Sequence, residues 1–158
     1  MSDFITMTDI DRAVDAIRSR IDVKPEIGMI LGTGLGPLAD SLDGAKIIPN
    51  QEIPCWPIST VQGHKGRLVI GKLEGKNVFI LQGRTHFYEG YTMGQTTFSV
   101  RVMKRLGCET LIVTNAAGAI NPDYVPGDLM LITDHINLIG MGGANPLFGP
   151  NMEEFGVR

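Results

Sequence analysis

Cysteine, histidine and clustered positive charge are scarce in this sequence, and each shortage removes a class of function. Only two cysteines, Cys55 and Cys108, occur in 158 residues, which excludes a disulfide framework and a four-thiolate zinc site. They fit reduced thiols of a cytoplasmic protein. The three histidines, His64, His86 and His135, lack close ligand spacing such as an i, i+4 helical pair, so no metal site is expected. Lys and Arg total 14 against 17 Asp and Glu, a formal charge of -3, and no stretch gathers the basic residues into a stripe. The electrostatic footprint of a nucleic-acid binder is therefore missing. No apolar run approaches the thickness of a bilayer. The segment from Met1 to Ile10 does not read as a signal peptide, because no basic region precedes an apolar run. With 43% hydrophobic and 20% charged residues, the composition suits one globular domain with a small-molecule ligand.

Glycine is plentiful, at 20 residues, and its positions carry most of the information, since glycine serves where backbone turns sharply or approaches a ligand. The helical spacing of Ile10, Ala13, Val14, Ile17 and Ile21 predicts a surface helix from about Thr8 to Ile21, with Thr8 and Asp11 as a capping box. Ile27 to Leu31 reads as a short strand. It opens into Gly32-Thr33-Gly34-Leu35-Gly36, and a helix is expected from Pro37 to Leu42. Pro49, Pro54 and Pro57 make residues 47–61 an ordered loop. Arg67 to Leu73 and Asn77 to Gln82 flank Glu74-Gly75-Lys76 as a hairpin. Phe98, Val102, Met103 and Leu106 mark one face of a helix from about Gln95 to Leu106, stopped by Gly107. Thr110 to Thr114 reads as a buried strand leading into Asn115-Ala116-Ala117-Gly118, and Asp128 to Thr133 as another leading into Asp134-His135. Alternating strands and helices predict an α/β fold. No repeat, low-complexity tract or linker divides it, so residues 1–158 read as one domain, and an incomplete one.

Chemistry concentrates at the strand ends. A strand that opens into glycine-rich backbone and then a helix presents N–H groups and a positive helix end to an anion, although the same residues also make a plain strand-to-helix turn. The dinucleotide fingerprint fails because Pro37 stands where its third glycine belongs. The P-loop fails for want of Gly-Lys followed by Ser or Thr. In Gly83-Arg84-Thr85-His86-Phe87-Tyr88-Glu89-Gly90 a strand end delivers Arg84 and His86 to one side, either to grip an anion or to form an ion pair with Glu89 or another carboxylate. Gly63-His64-Lys65-Gly66 is a weaker signal, equally a solvated glycine turn. Thr114-Asn115-Ala116-Ala117-Gly118 lies beyond a strand's carboxyl end, where open sheets bind ligands, or where packing needs small residues. Three such loops, after residues 31, 82 and 114, point to one shared anion site.

Taken in order, these motifs, with Asn145-Pro146-Leu147-Phe148-Gly149-Pro150, resemble the purine nucleoside phosphorylase family, in its homotrimer-forming branch, over nearly the whole chain. The resemblance implies a single α/β domain around a mixed, partly barrel-like central sheet flanked by helices, incomplete at the C-terminus. It implies that the Thr33 hydroxyl, His64, Arg84, His86 and the Ala116 N–H surround phosphate, and that Tyr88 reaches a ribose hydroxyl. His86 and Asn115 would serve catalysis, Asn115 by shaping the same corner. Thr33 stands where the family commonly has Ser, keeping the hydroxyl and adding a methyl group. The activity implied is phosphorolysis of the N-glycosidic bond of purine ribo- and deoxyribonucleosides in purine salvage, with inorganic phosphate as co-substrate and no cofactor or metal. Family members are longer, and purine recognition lies in the half beyond Arg158, so the isolated chain is expected to be inactive. A methylthioadenosine phosphorylase shares the fold, but Phe87-Tyr88-Glu89-Gly90 favours the purine nucleoside branch. A noncatalytic phosphate- or nucleotide-binding fragment is the alternative from another class.

Overall fold

The computed structural model describes residues 4–61 and 65–157. The N-terminal helix, α1, spans Met7–Arg18, and its capping box is Thr6 with Asp9, two residues before the expected Thr8 and Asp11. The Asp9 N–H donates to Thr6 Oγ1 at 3.2 Å, and the Thr6 N–H donates to Asp9 Oδ2 at 2.9 Å. Both threonines carry an acidic residue three positions on. The buried stripe of Ile10, Ala13, Val14 and Ile17 fits either start, so only the turn geometry separates them.

The strands are β1 (Ile27–Leu31), β2 (Asp43–Pro49), β3 (Arg67–Leu73), β4 (Lys76–Gln82) and β5 (Thr110–Val113). They form one sheet in the order β2-β3-β4-β1-β5. The β2–β3 and β3–β4 pairs are antiparallel, while β1 runs parallel to both β4 and β5. The expected mixed sheet with flanking helices is present, with open edges at β2 and β5. The hairpin closes through Glu74 and Gly75, with φ of 48° and 77°, the positive values that match strand twist in a two-residue turn. Successive side chains of the central strands are buried on opposite faces. Ile30, Leu68, Ile70, Phe79 and Leu81 pack on the helical side, and Met29, Leu31, Val69, Val78 and Ile80 pack under Ala39 and Leu42.

The helical side is covered by α1 and by α3 (Phe98–Leu106), which follows the short α2 (Met93–Thr96). The expected single helix from Gln95 is broken at Thr97, whose backbone (φ -99°, ψ 5°) leaves the helical region. Its N–H at 3.2 Å and its hydroxyl at 2.9 Å both donate to the Met93 carbonyl. Trp56, from the proline-rich segment, meets Phe98 edge-on at 5.7 Å. The first part of that segment is not loop: β2 runs to Pro49, paired opposite Arg67 at the sheet edge, where a missing N–H is tolerated. The expected helix at 37–42 is a 3-10 turn over Gly36–Ser41.

Two further expectations are corrected. β5 is exposed along its whole length, because among the described residues β1 is its only strand partner and no other strand continues the sheet beyond it. Residues 128–133 form no strand: Leu129 is 91% and Leu131 89% exposed, and no strand among the described residues receives their backbone groups. Residues 114–137 have no helix or strand, and a last short helix, α4, spans Leu138–Met141.

Candidate functional site

Parallel pairing of β4, β1 and β5 places three carboxyl ends side by side. Leu31 is opposite Gln82, and Ile30 is opposite Val113. The loops that follow therefore leave the sheet from one edge, the usual ligand side of such sheets. They are joined directly. The Gly32 N–H donates to Thr114 Oγ1 at 2.8 Å, and Arg84 Nη1 donates to the Thr114 carbonyl at 2.8 Å. A Cβ at Gly32 would lie 2.5 Å from the Thr114 oxygen and 2.9 Å from Asn115 Cα, so only glycine permits this approach of two backbones.

Beside the junction is a cleft of about 380 Å³, lined by Gly32, Thr33, Gly34, Lys65, Gln82 and Gly83 among others. Gln82, Asp40 and Lys65 of its lining belong to a polar network that also includes Arg67. Gln82 is buried, and its Nε2 donates to the Gly36 carbonyl at 2.6 Å while its Oε1 accepts from Arg67 Nε at 2.7 Å. Arg67 Nη2 in turn donates to Asp40 Oδ1 at 2.6 Å, and Lys65 Nζ donates to Asp40 Oδ2 at 2.9 Å. The chain from Arg67 through Gln82 ties both ends of the 36–41 turn to the sheet and so holds the glycine turn in place. The Lys65 hydrogen bond, working against a small cost of burial and helped by the charges of Lys65 and Arg67, holds the Asp40 carboxyl below the usual carboxylate range. A six-residue 3-10 turn offers little of the aligned dipole that an α-helix start would bring. The positive charge near the cleft is therefore supplied by Lys65 and Arg67.

The expected site residues divide into three sets. Thr33 lines the cleft, whereas Arg84, His86, Tyr88, Asn115 and Ala116 are not among its lining residues; Arg84 reaches the glycine turn through Thr114. Asn115 and Ala116 follow Thr114 on the exposed side of the same junction, with Asn115 Nδ2 donating to the Ala116 carbonyl at 3.3 Å. His64 lies outside the described residues.

His86 belongs to a second cluster built on Glu89, whose side chain is 3% exposed. Its carboxylate accepts from Ser59 Oγ, from the Thr60 N–H and hydroxyl, from the His86 N–H at 2.7 Å and from His86 Nδ1 at 3.0 Å. Burial pushes the Glu89 carboxyl up, but the hydrogen bonds from Thr60 and His86 outweigh it and hold the group at about 2. An ionised carboxylate only accepts, so His86 Nδ1 must carry the proton, which fixes the ring's orientation and tautomer. The His86 ring stacks on Tyr88 at 4.7 Å with an interplanar angle of 15°. His86 thus takes the carboxylate partner that the sequence left open, Glu89, whereas Arg84 donates to a backbone carbonyl, that of Thr114, which the sequence did not suggest.

Asp40, Arg67 and Gln82 were not singled out by sequence patterns, and Lys65 and Thr114 were read only as members of their loop motifs, with no role of their own. One of these pairings was within reach: a two-residue turn at Glu74-Gly75 sets Arg67 directly opposite Gln82. Among the described residues no cluster of three or more His, Cys, Asp or Glu is placed to hold a metal ion, and no helix is long and apolar enough to cross a membrane.

Residues 26–158 match the phosphorylase superfamily. Over 151 residues the chain is 55% identical to purine nucleoside phosphorylase 1 of Geobacillus stearothermophilus, an alignment covering 96% of this chain and 54% of that protein. It is 50% identical over 158 residues to the purine nucleoside phosphorylase of Rattus norvegicus, covering 100% of this chain and 55% of that one. Isoform 2 of purine nucleoside phosphorylase from Schistosoma mansoni, crystallised with cytosine and ribose-1-phosphate, superposes with a TM-score of 0.88 at 43% identity, over 96% of this chain and 53% of its own. The chain spans about half the length of these relatives. With its sequence and its fold in agreement, the chain belongs to the phosphorylase superfamily, where it aligns with the N-terminal part of purine nucleoside phosphorylases.

Proposed function

We propose that this chain supplies the phosphate- and ribose-handling half of a purine nucleoside phosphorylase. The observation that carries the reading is the hydrogen-bonded meeting of three strand ends, Gly32 and Arg84 both on Thr114, beside a cleft rimmed by glycine-turn backbone and Lys65. In this reading Thr33, His64, Arg84, His86 and the Ala116 N–H hold inorganic phosphate, Tyr88 takes a ribose hydroxyl, and Asn115 shapes the corner.

The reaction then follows from charge and position. As the purine leaves with the electron pair of the glycosidic bond and takes up a proton, the ribosyl carbon gains oxocarbenium character. A phosphate anion held against that carbon stabilises the developing cation and then forms the new C–O bond, giving a pentose 1-phosphate and the free base. No covalent enzyme intermediate is required. Glu89 keeps the His86 Nδ1 protonated, so the ring meets phosphate in one orientation. The same resemblance supports a cytoplasmic homotrimer acting in purine salvage. The isolated 158 residues are assigned no turnover, because β5 and the segment after it leave apolar side chains uncovered.

Calorimetric titration of the chain with inorganic phosphate tests the site. Arg84→Gln should weaken binding about thirtyfold, the loss of one charge-assisted contact of about 2 kcal/mol. Undiminished affinity in that variant would remove Arg84 from the site. An inosine phosphorolysis assay tests the rest, and turnover at an enzymatic rate by the isolated chain would refute its assigned inactivity.

A further inference from the structure

Lys65 lines the cleft together with the glycine turn and Gly83. Its ammonium rests on Asp40, 2.9 Å from Oδ2 and 3.3 Å from Oδ1. Asp40 has a second cation, Arg67, at 2.6 Å, and Arg67 is anchored independently by Gln82 at 2.7 Å. Two cations share one carboxylate, which leaves the cluster with a surplus positive charge, and of the two cations it is Lys65 that lines the cleft, beside Asp40. The two cations differ in freedom. Arg67 is fixed by a planar fork with two partners, whereas Lys65 is half exposed and holds a compact charge on a flexible stem. If Lys65 turned away, Asp40 would keep a salt bridge; if Arg67 did, the buried Gln82 Oε1 would lose its donor and Asp40 its tie to Arg67.

We propose that Lys65 is a further anion-binding residue of this cleft, one that rests on Asp40 and transfers to a phosphate held between the glycine turn and Gly83, leaving Asp40 to Arg67. The inference rests on the phosphate reading of the cleft and adds an exchangeable cation to it. Asp40 acts as a competitor for Lys65, setting how much of the attraction to phosphate is spent in releasing the lysine. Phosphate affinity should then depend jointly on residues 40 and 65.

The test is titration of the chain with inorganic phosphate for the wild type and for Lys65→Met, Lys65→Arg, Asp40→Asn and the Lys65→Met/Asp40→Asn double variant, with folding checked by circular dichroism. Lys65→Met should weaken binding about tenfold, and Lys65→Arg should stay within about threefold of the wild type. Asp40→Asn should tighten binding, and by a clearly larger factor with lysine at position 65 than in the double variant. Wild-type affinity in Lys65→Met alongside a loss in Arg84→Gln would overturn the role of Lys65 while leaving the phosphate site intact. An equal effect of Asp40→Asn in both backgrounds would overturn the exchange. No phosphate binding by the folded wild type would remove the phosphate reading and this inference together.

Discussion

β4 and β5 have much the same kind of sequence and opposite fates. Val78-Phe79-Ile80-Leu81 is buried throughout, while Leu111-Ile112-Val113 is exposed throughout. β4 has a strand on each edge, the helices α1 and α3 on one face, and Ala39 and Leu42 on the other. β5 has only β1. Apolar, β-branched residues suffice to specify an extended strand, but burial also requires something to pack against. The site straddles this difference: Arg84 follows the buried strand, Thr114 follows the exposed one, and a hydrogen bond of 2.8 Å joins them.

The sharpest test removes a side chain from each strand. Phe79→Ala should cost about 4 kcal/mol in denaturant unfolding, whereas Ile112→Ala should cost less than about 0.5 kcal/mol, as at exposed sites generally. Equal losses would mean that β5 is covered in solution. Next, Gly32→Ala forces a methyl group into the Thr114 and Asn115 backbone and should destabilise the protein by about 3 kcal/mol. It should also abolish phosphate binding, since it opens the junction between the two strands; retained binding would show that the junction does not build the site.

Glu89→Gln should cost about 2 kcal/mol at neutral pH, because the amide cannot accept every hydrogen bond that the carboxylate does. Its pH signature is more specific. The Glu89 carboxyl is lowered from 4.5 to about 2, so the unfolded chain binds more protons across that interval. The stabilisation is fully present above pH 4.5 and is lost as pH falls through about 2. Acid titration of stability should therefore be shallower in Glu89→Gln than in the wild type between those values. The smallest effect belongs to Thr6→Ala, which should cost about 1 kcal/mol by removing the α1 cap, while Thr8→Ala should cost much less. The reverse order would restore the capping box first expected at Thr8 and Asp11.

Where the fold was readable, local pattern and packing agreed. Ile27–Leu31 and the hairpin were delimited by glycine and by apolar runs that do end up buried. Where reading failed, a local signal lacked or gained a partner. Residues 128–133 have the composition of a strand, and no strand among the described residues pairs with them. Residues 43–49 lie next to prolines, yet β3 offers them an edge, and Pro49 sits where no donor is needed. In the candidate site, glycine spacing picked out the loops after residues 31, 82 and 114, while the Lys65–Asp40–Arg67–Gln82 network was missed. The hairpin turn sets Arg67 opposite Gln82, but Asp40 comes from a distant segment, and no spacing along the chain records that it meets Lys65 and Arg67.

What the sequence alone determined was the set of strands bounded by glycine turns, the amphipathic faces of α1 and α3, and the residue types able to meet an anion. These depend on backbone freedom and on side-chain period, which are local properties. Only the tertiary structure decided that β5 lies exposed, that Glu89 holds His86 while Thr114 receives Arg84, and that Lys65 shares Asp40 with Arg67. Those outcomes depend on which segments the parallel register and the packed faces bring within hydrogen-bond reach, and that distance is set by the whole fold.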